Sequence, residues 1–371
     1  MAGKTRRFWL NVHLWLGLVM ALPITAVAVS GAALGFAPEL HRWDQPELYR
    51  VEVGGERMSA TGVARRVEEE YPDAEVYGVS LYEEARRPAT AWITGTTRAG
   101  VDRFFRLHID PYTGRVAEDT TDGGLVGFLE RIHRTLAAGE IGRWVVAASS
   151  LLLVVISVIG LYLWWPMSST TVRRFVNRRG ALEWHNVLGL VALPLFTVMG
   201  ITGLQLPLQD VMNPAIRTVT GSPPPPETPA SGPPADGDST AIGLDGAVAV
   251  VADEYPESRI TGFGEAGGED GSYRVNVREP DDFYRRGWER VFVDRFSGEI
   301  LERRDTYAHS PASAYQQVWF QLHTGEFFGD PGRVSWALAC LLVPVMGGTG
   351  FVIWYRKRRR PGDRRDGLNE A

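Results

Sequence analysis

Four long apolar stretches interrupt an otherwise polar chain: Leu10–Phe36, Trp144–Trp165, Val187–Leu208 and Val334–Tyr355. A bilayer crossing needs about 20 mostly apolar residues, so each predicts a transmembrane helix. Pro23, Pro194 and Pro344 fall inside these stretches. Bundled membrane helices tolerate such prolines, because neighbouring groups satisfy the freed carbonyls. The first stretch follows Lys4, Arg6 and Arg7, as a signal peptide would. Its apolar run is longer than the roughly 7–15 residues of a signal-peptide core, so a retained span is expected.

The pattern between the spans has other periods. Ser59 is placed to cap a helix in which Val63 and Val67 form an i, i+4 stripe ending at Tyr71-Pro72. Alternating segments follow at Val76–Tyr82, Ala89–Thr96 and Phe104–Ile109, the last closed by the turn Asp110-Pro-Tyr-Thr-Gly. The later polar segment predicts the same order: a helix over Asp245–Tyr255, then strands at Arg259–Phe263, Tyr273–Val277 and Arg290–Val293. Each outer module is therefore expected to be one helix on a small antiparallel sheet. Ser222–Asp238 is rich in proline and glycine without hydrophobic period, and predicts an extended or disordered, mobile linker.

Basic residues in short flanks orient the spans. They cluster at Lys4, Arg6 and Arg7, at Arg173, Arg174, Arg178 and Arg179, and at Arg356, Lys357, Arg358, Arg359 and Arg360. These three places are expected in the cytoplasm, with both long polar segments outside. The predicted order is a cytoplasmic N-terminus (1–9), a first span (10–36), an outer module (37–140), a second span (141–166) and a cytoplasmic loop (167–183). A third span (184–208), a second outer module (209–332, linker 222–238), a fourth span (333–355) and a basic tail (356–371) complete it.

The chain repeats itself. Asn11-Val-His-Leu-Trp-Leu-Gly-Leu-Val resembles Glu183-Trp-His-Asn-Val-Leu-Gly-Leu-Val, the histidines offset by 185 − 13 = 172. His133 and His323 each begin a His-x5-Gly-x2-Gly-Arg motif, offset by 323 − 133 = 190. The expected fold is thus membrane α-helical, four spans in two parallel helix–module–helix repeats with α+β modules. Parallel repeats are commonly related by a two-fold axis along the membrane normal. That axis places His13 opposite His185 near the cytoplasmic ends of the first and third spans. It places His133 opposite His323 near the outer ends of the second and fourth. Two facing imidazoles suit the axial positions of a haem iron, and helix bundles house cofactors between facing helices. The expectation is two bis-histidine haems stacked along the normal, with His13, His185, His133 and His323 as ligands.

Gly17 and Gly189 stand four residues after the inner histidines and would leave room for a flat ring. Gly139, Gly142, Gly329 and Gly332 are candidates for the same task at the outer pair, and Arg143 and Arg333 for haem propionates or lipid phosphates. His41, His108 and His309 lack matched partners and are expected to be surface or packing residues. Trp164, Trp165, Trp184, Trp336 and Trp354 read as interface anchors.

Composition narrows the chemistry. The chain has 371 residues and a net charge of −5, which argues against nucleic acid as a partner. Its single cysteine, Cys340, permits no disulfide within the chain and no cysteine-built zinc or iron–sulfur site. No Cys-x-x-Cys-His occurs, so covalent c-type attachment is excluded. No Gly-x-Gly-x-x-Gly leads from a strand into a helix, so an electron donor would be a separate reductase or the quinol pool. The spans hold few of the ionisable residues that a transport path needs.

His13-Leu-Trp-Leu-Gly-Leu, Leu161-Tyr-Leu-Trp-Trp-Pro, Leu322-His-Thr-Gly and Asp110-Pro-Tyr-Thr-Gly resemble the PepSY-associated transmembrane helix family. The likeness runs over nearly the whole chain except the proline-rich linker, which departs from the pattern. It implies two PepSY-type modules in the periplasm and a place in a bacterial inner membrane. Some members look like ferric-siderophore reductases with two b-type haems, passing electrons from a cytoplasmic-side donor to siderophore-held iron in the periplasm. The four paired histidines match that scheme. PepSY modules are also associated with restraint of proteases, so the alternative is a non-enzymatic membrane regulator or binding protein.

Overall fold

The computed structural model describes residues 2–82, 84–98, 100, 102–119, 124–165, 180–232, 240–266, 271–280, 282, 287 and 289–359. The chain runs α1 (Ala2–Leu34), α2 (Ala37–Asp44), α3 (Pro46–Tyr49), α4 (Ala60–Glu70), β1 (Glu75–Ser80), β2 (Ala89–Thr96), β3 (Asp102–Ile109) and β4 (Val116–Asp119). It continues through α5 (Gly124–Thr135), α6 (Gly139–Trp164), α7 (Ala181–Gly203), α8 (Gln209–Thr220) and α9 (Gly243–Glu254). Next come β5 (Arg259–Ala266), β6 (Ser272–Arg278), β7 (Glu289–Val293), β8 (Ile300–Asp305), α10 (Pro311–Thr324) and α11 (Gly329–Arg358). Two compact units result. One comprises residues 1–37, 129–214 and 319–371, the other 38–128 and 215–318.

The first unit is a helix bundle. α1, α6, α7 and α11 lie in or form the four described helices long and apolar enough to cross a membrane. α1 and α7 each pack against both α6 and α11, so the bundle is a ring in which α1 and α7 stand diagonally. Ile24, Ala28, Ala192, Phe196, Met199, Trp336, Ala339 and Val343 meet in its core. Trp336 is thus a core residue, not the interface anchor expected. The outward surface is apolar too: Leu22 is 80% exposed and Val191 64%. An apolar surface of that kind suits lipid and not water. The arginines at 173, 174, 178, 179 and 360 lie outside the described residues.

The second unit is one antiparallel sheet of eight strands, ordered β4-β3-β2-β1-β5-β6-β7-β8. The expected helices form. Ser59 caps α4 by accepting the Gly62 N–H at 3.1 Å. α4 and α9 lay Val63, Val67, Ala247 and Val251 on the inward-facing side chains of the strands, including Ile93, Leu107, Val275 and Val291. Full burial of each such aliphatic side chain contributes about 1.5–3 kcal/mol. Asp245 joins the two helices, accepting from Ser59 Oγ at 2.8 Å and from the Thr61 N–H at 3.0 Å.

Three features differ from expectation. β4 and β8 are additional strands, one at each edge. The two small sheets are one, because β1 pairs with β5 through Val79 and Phe263. An unpaired β1 would expose a row of peptide groups, and this pairing satisfies them. The described part of the linker, 222–232, is docked: Gly232 donates to Asp294 Oδ2 at 2.8 Å, Ser272 Oγ to the Pro229 carbonyl at 2.8 Å, and Arg295 N–H to Ser231 Oγ at 2.9 Å. Positions 233–238 lie outside the described residues. His41 and His108 are both buried and flank Tyr49, with ring centres 4.9 and 4.6 Å from it, so these two are packing residues.

Candidate cofactor site

The bundle brings the four matched histidines together in two pairs. His13 of α1 and His185 of α7 meet across the ring diagonal, with ring centres 6.1 Å apart and planes at 87°. His133 in the last turn of α5 and His323 in the last turn of α10 meet at 5.9 Å and 58°. From His13 to Gly31, which touches His133, α1 runs 31 − 13 = 18 residues. At about 1.5 Å per residue the pairs are about 27 Å apart along the bundle.

Each imidazole rests on a glycine of a neighbouring helix. A Cβ built at Gly160 would lie 3.3 Å from Cε1 of His13, at Gly350 3.7 Å from that of His185, at Gly31 2.8 Å from that of His133, and at Gly203 3.3 Å from that of His323. Nδ1 then turns to the same helix. His133 Nδ1 reaches the Val27 carbonyl at 2.8 Å and Ser30 Oγ at 3.5 Å. His323 Nδ1 bonds Thr202 Oγ1 at 3.0 Å, and His185 Nδ1 bonds Thr349 Oγ1 at 3.0 Å. Among the described residues, His13 Nδ1 is buried and finds no hydrogen-bond partner. In His133, His323 and His185, with Nδ1 engaged on the neighbouring helix, Nε2 is the nitrogen left for a ligand.

The spacing fits an iron between two imidazoles. Two metal–nitrogen bonds of about 2 Å, plus about 1 Å from each nitrogen to its ring centre, separate the centres by roughly 6 Å. Among the described residues no group of three His, Cys, Asp or Glu side chains could hold a metal ion. Each pair therefore offers two nitrogens, and a metal seated there must bring its other ligands with it, as haem iron does. Beside His13, the space a Cβ of Gly17 would enter holds no atom within 4 Å, while a Cβ at Gly189 would stand 3.0 Å from the methyl of Met346.

Residues 10–357 match the family described as PepSY-associated TM region. The chain belongs to this family. No curated protein matches it. With four apolar helices of spanning length, this PepSY-associated TM protein is a membrane protein with an intervening α+β part.

Other glycines of the two His-x5-Gly-x2-Gly-Arg motifs do something different from the expected making of room. Gly139 and Gly329 have φ of 56° and 65° and turn the chain from the histidine helices into α6 and α11. Gly142 and Gly332 pack directly on the carbonyls of Thr135 and Gly325, where any side chain would collide. After His133 the turn also uses Leu136 and Ala137 at φ of 49° and 56°, with Ala137 N–H donating to the Arg131 carbonyl. Left-handed residues other than glycine cost about 1 kcal/mol each and gather near functional sites. Arg143 donates to the Pro207 carbonyl and Arg333 to that of Gly35, both at 2.9 Å. Each arginine thus supports carbonyls past the end of a neighbouring span.

Proposed function

We propose that this PepSY-associated TM protein conducts electrons across a bacterial inner membrane. Two b-type haems would be held by His13/His185 and by His133/His323, and the acceptor would be a ferric siderophore on the periplasmic side. The observation that carries this reading is the pairing itself: two imidazole pairs, each at the separation of a bis-histidine iron, at opposite ends of one bundle. Bound haem would supply reversible one-electron Fe³⁺/Fe²⁺ chemistry. Held between two imidazoles, the iron would keep no position free for oxygen, which favours electron transfer over oxygen chemistry. Two sites about 27 Å apart would stand near the opposite faces of a layer about 30 Å thick.

Basic flanks at Lys4, Arg6 and Arg7 and at Arg356 to Arg359 support a cytoplasmic position for the His13/His185 end. The parallel repeat and the periplasmic place of the eight-stranded sheet follow from that orientation. One electron from a cytoplasmic-side reductase or quinol then reaches the outer pair and converts chelated Fe³⁺ to Fe²⁺. Hard oxygen ligands hold Fe²⁺ less tightly, so the siderophore releases it.

The test is a reduced-minus-oxidised spectrum of purified protein, with haem counted as the pyridine haemochrome. Two low-spin haems per chain are expected. Folded, monodisperse protein from haem-replete cells that carries no haem would overturn the proposal and leave the binding-protein alternative.

A further inference from the structure

The four histidine seats share a plan and differ at one position. Each seat is a glycine against the imidazole: Gly31 for His133, Gly203 for His323, Gly350 for His185 and Gly160 for His13. The residue just before the glycine is Ser30, Thr202, Thr349 or Ile159. In three seats it is a hydroxyl whose single proton is committed to its own helix. Ser30 donates to Ala26 at 2.8 Å, Thr202 to Val198 at 2.6 Å, and Thr349 to Val345 at 2.9 Å. Such an oxygen has only lone pairs left for the imidazole, so it accepts and the histidine donates. That fixes the proton on Nδ1 and leaves Nε2 bare.

We propose that Thr202 and Thr349 are positioning residues that hold His323 and His185 in this tautomer, and that Ile159 leaves His13 without such an acceptor. Ser30 assists the Val27 carbonyl at His133. The inner pair then has one supported imidazole and the outer pair two. This inference rests on the haem reading above. An imidazole whose N–H is held by an acceptor is the more basic ligand and favours the ferric state. Each hydroxyl therefore lowers the reduction potential of its own centre.

The experiment is a potentiometric titration of the full-length protein, followed in the visible spectrum, on variants that add, remove or keep the hydroxyl. Ile159→Thr is compared with Ile159→Val, so that only the hydroxyl differs. Thr349→Val is compared with Thr349→Ser, which keeps it. Against its partner, Ile159→Thr is expected to lower the potential of one centre. Thr349→Val is expected to raise that same centre, each by about tenfold in the reduction equilibrium, ~59 mV for one electron. Thr202→Val is expected to raise the other centre. Thr349→Ser should restore the native value, which a merely structural role would not require. Unmoved potentials, or Ile159→Thr and Thr349→Val acting on different centres, would overturn the inference. Haem-free protein would overturn the preceding proposal as well, and the haemochrome spectrum, taken first, separates the two failures.

Discussion

Gly31 lies against the ring of His133, where a Cβ would stand 2.8 Å from Cε1 and 3.1 Å from Nδ1. A methyl group there requires the imidazole to move. The other seats are graded, at 3.3 Å for Gly160 and Gly203 and 3.7 Å for Gly350. Gly31→Ala is therefore expected to lose most of one haem, Gly350→Ala least, and the other two an intermediate share. Haem per chain in the purified variants measures this. Equal losses at all four positions would show that the glycines do not act as seats.

Pairing across the bundle has its own signature. His13→Ala and His185→Ala should each remove the same half of the haem signal, and His133→Ala and His323→Ala the other half. The double variant His13→Ala/His185→Ala should be little worse than either single one, whereas His13→Ala/His323→Ala should lose both. Loss of the outer pair should also abolish reduction of an external ferric chelate. Spectra of the six proteins decide it, and losses that follow His13 with His133 would contradict the geometry.

Orientation is open to reporter fusions. A fusion after Ser169 and one after Arg359 should report cytoplasm, and one inside the linker, after Pro229, should report periplasm. A cytoplasmic signal from the linker would reverse the proposed direction of electron flow.

Much of this molecule was legible in its sequence, for identifiable reasons. Spans show because a bilayer demands long apolar runs, and α4 shows through the Ser59 cap and the Val63/Val67 stripe. The histidine pairs follow from two repeat offsets. The same offsets also mark the seats, since 203 − 31 = 172 and 350 − 160 = 190. Sequence alone does not single those glycines out, because glycine within an apolar span ordinarily signals close helix packing. β4 and β8 are edge strands, and Val116-Ala-Glu-Asp and Ile300-Leu-Glu-Arg-Arg-Asp carry the charges that protect an edge. Charge erases the alternation by which a strand is recognised. The joining of β1 to β5 is invisible because alternation reports faces, not neighbours.

Asp294 gives the sheet unit a pH dependence. Burial alone would raise its pKa, but N–H donation from Ser297, Phe296 and Gly232 outweighs that and holds the carboxyl below its usual range. A pKa lower in the folded state than in the unfolded means stability that is present above about pH 4 and lost as pH falls through the folded value. Asp294→Ala should therefore lower stability by about 2 kcal/mol at neutral pH and flatten the acid limb of the unfolding profile. Because Gly232 loses its anchor, protease should also cut the 222–232 segment sooner in the variant. An unchanged cleavage rate would show that the linker is held elsewhere.

Backbone strain after His133 can be relieved without touching the imidazole. Ala137 sits at φ 56°, which glycine adopts freely. Ala137→Gly is expected to raise thermal stability in detergent by up to about 1 kcal/mol. A fall would mean that the alanine methyl contributes more through packing than the conformation costs.

The continuous sheet has a consequence for how the polypeptide can be assembled. Residues before position 166 and after position 179 are stitched together twice, by β1 on β5 and by the helices of the ring. Both seams are formed by residues outside 166–179. The chain should therefore tolerate being made as two separate polypeptides, ending at Trp165 and beginning at Gly180, that find each other after insertion. Each fragment would carry one histidine of each pair, so neither could complete a binding site alone, and colour would appear only on reunion.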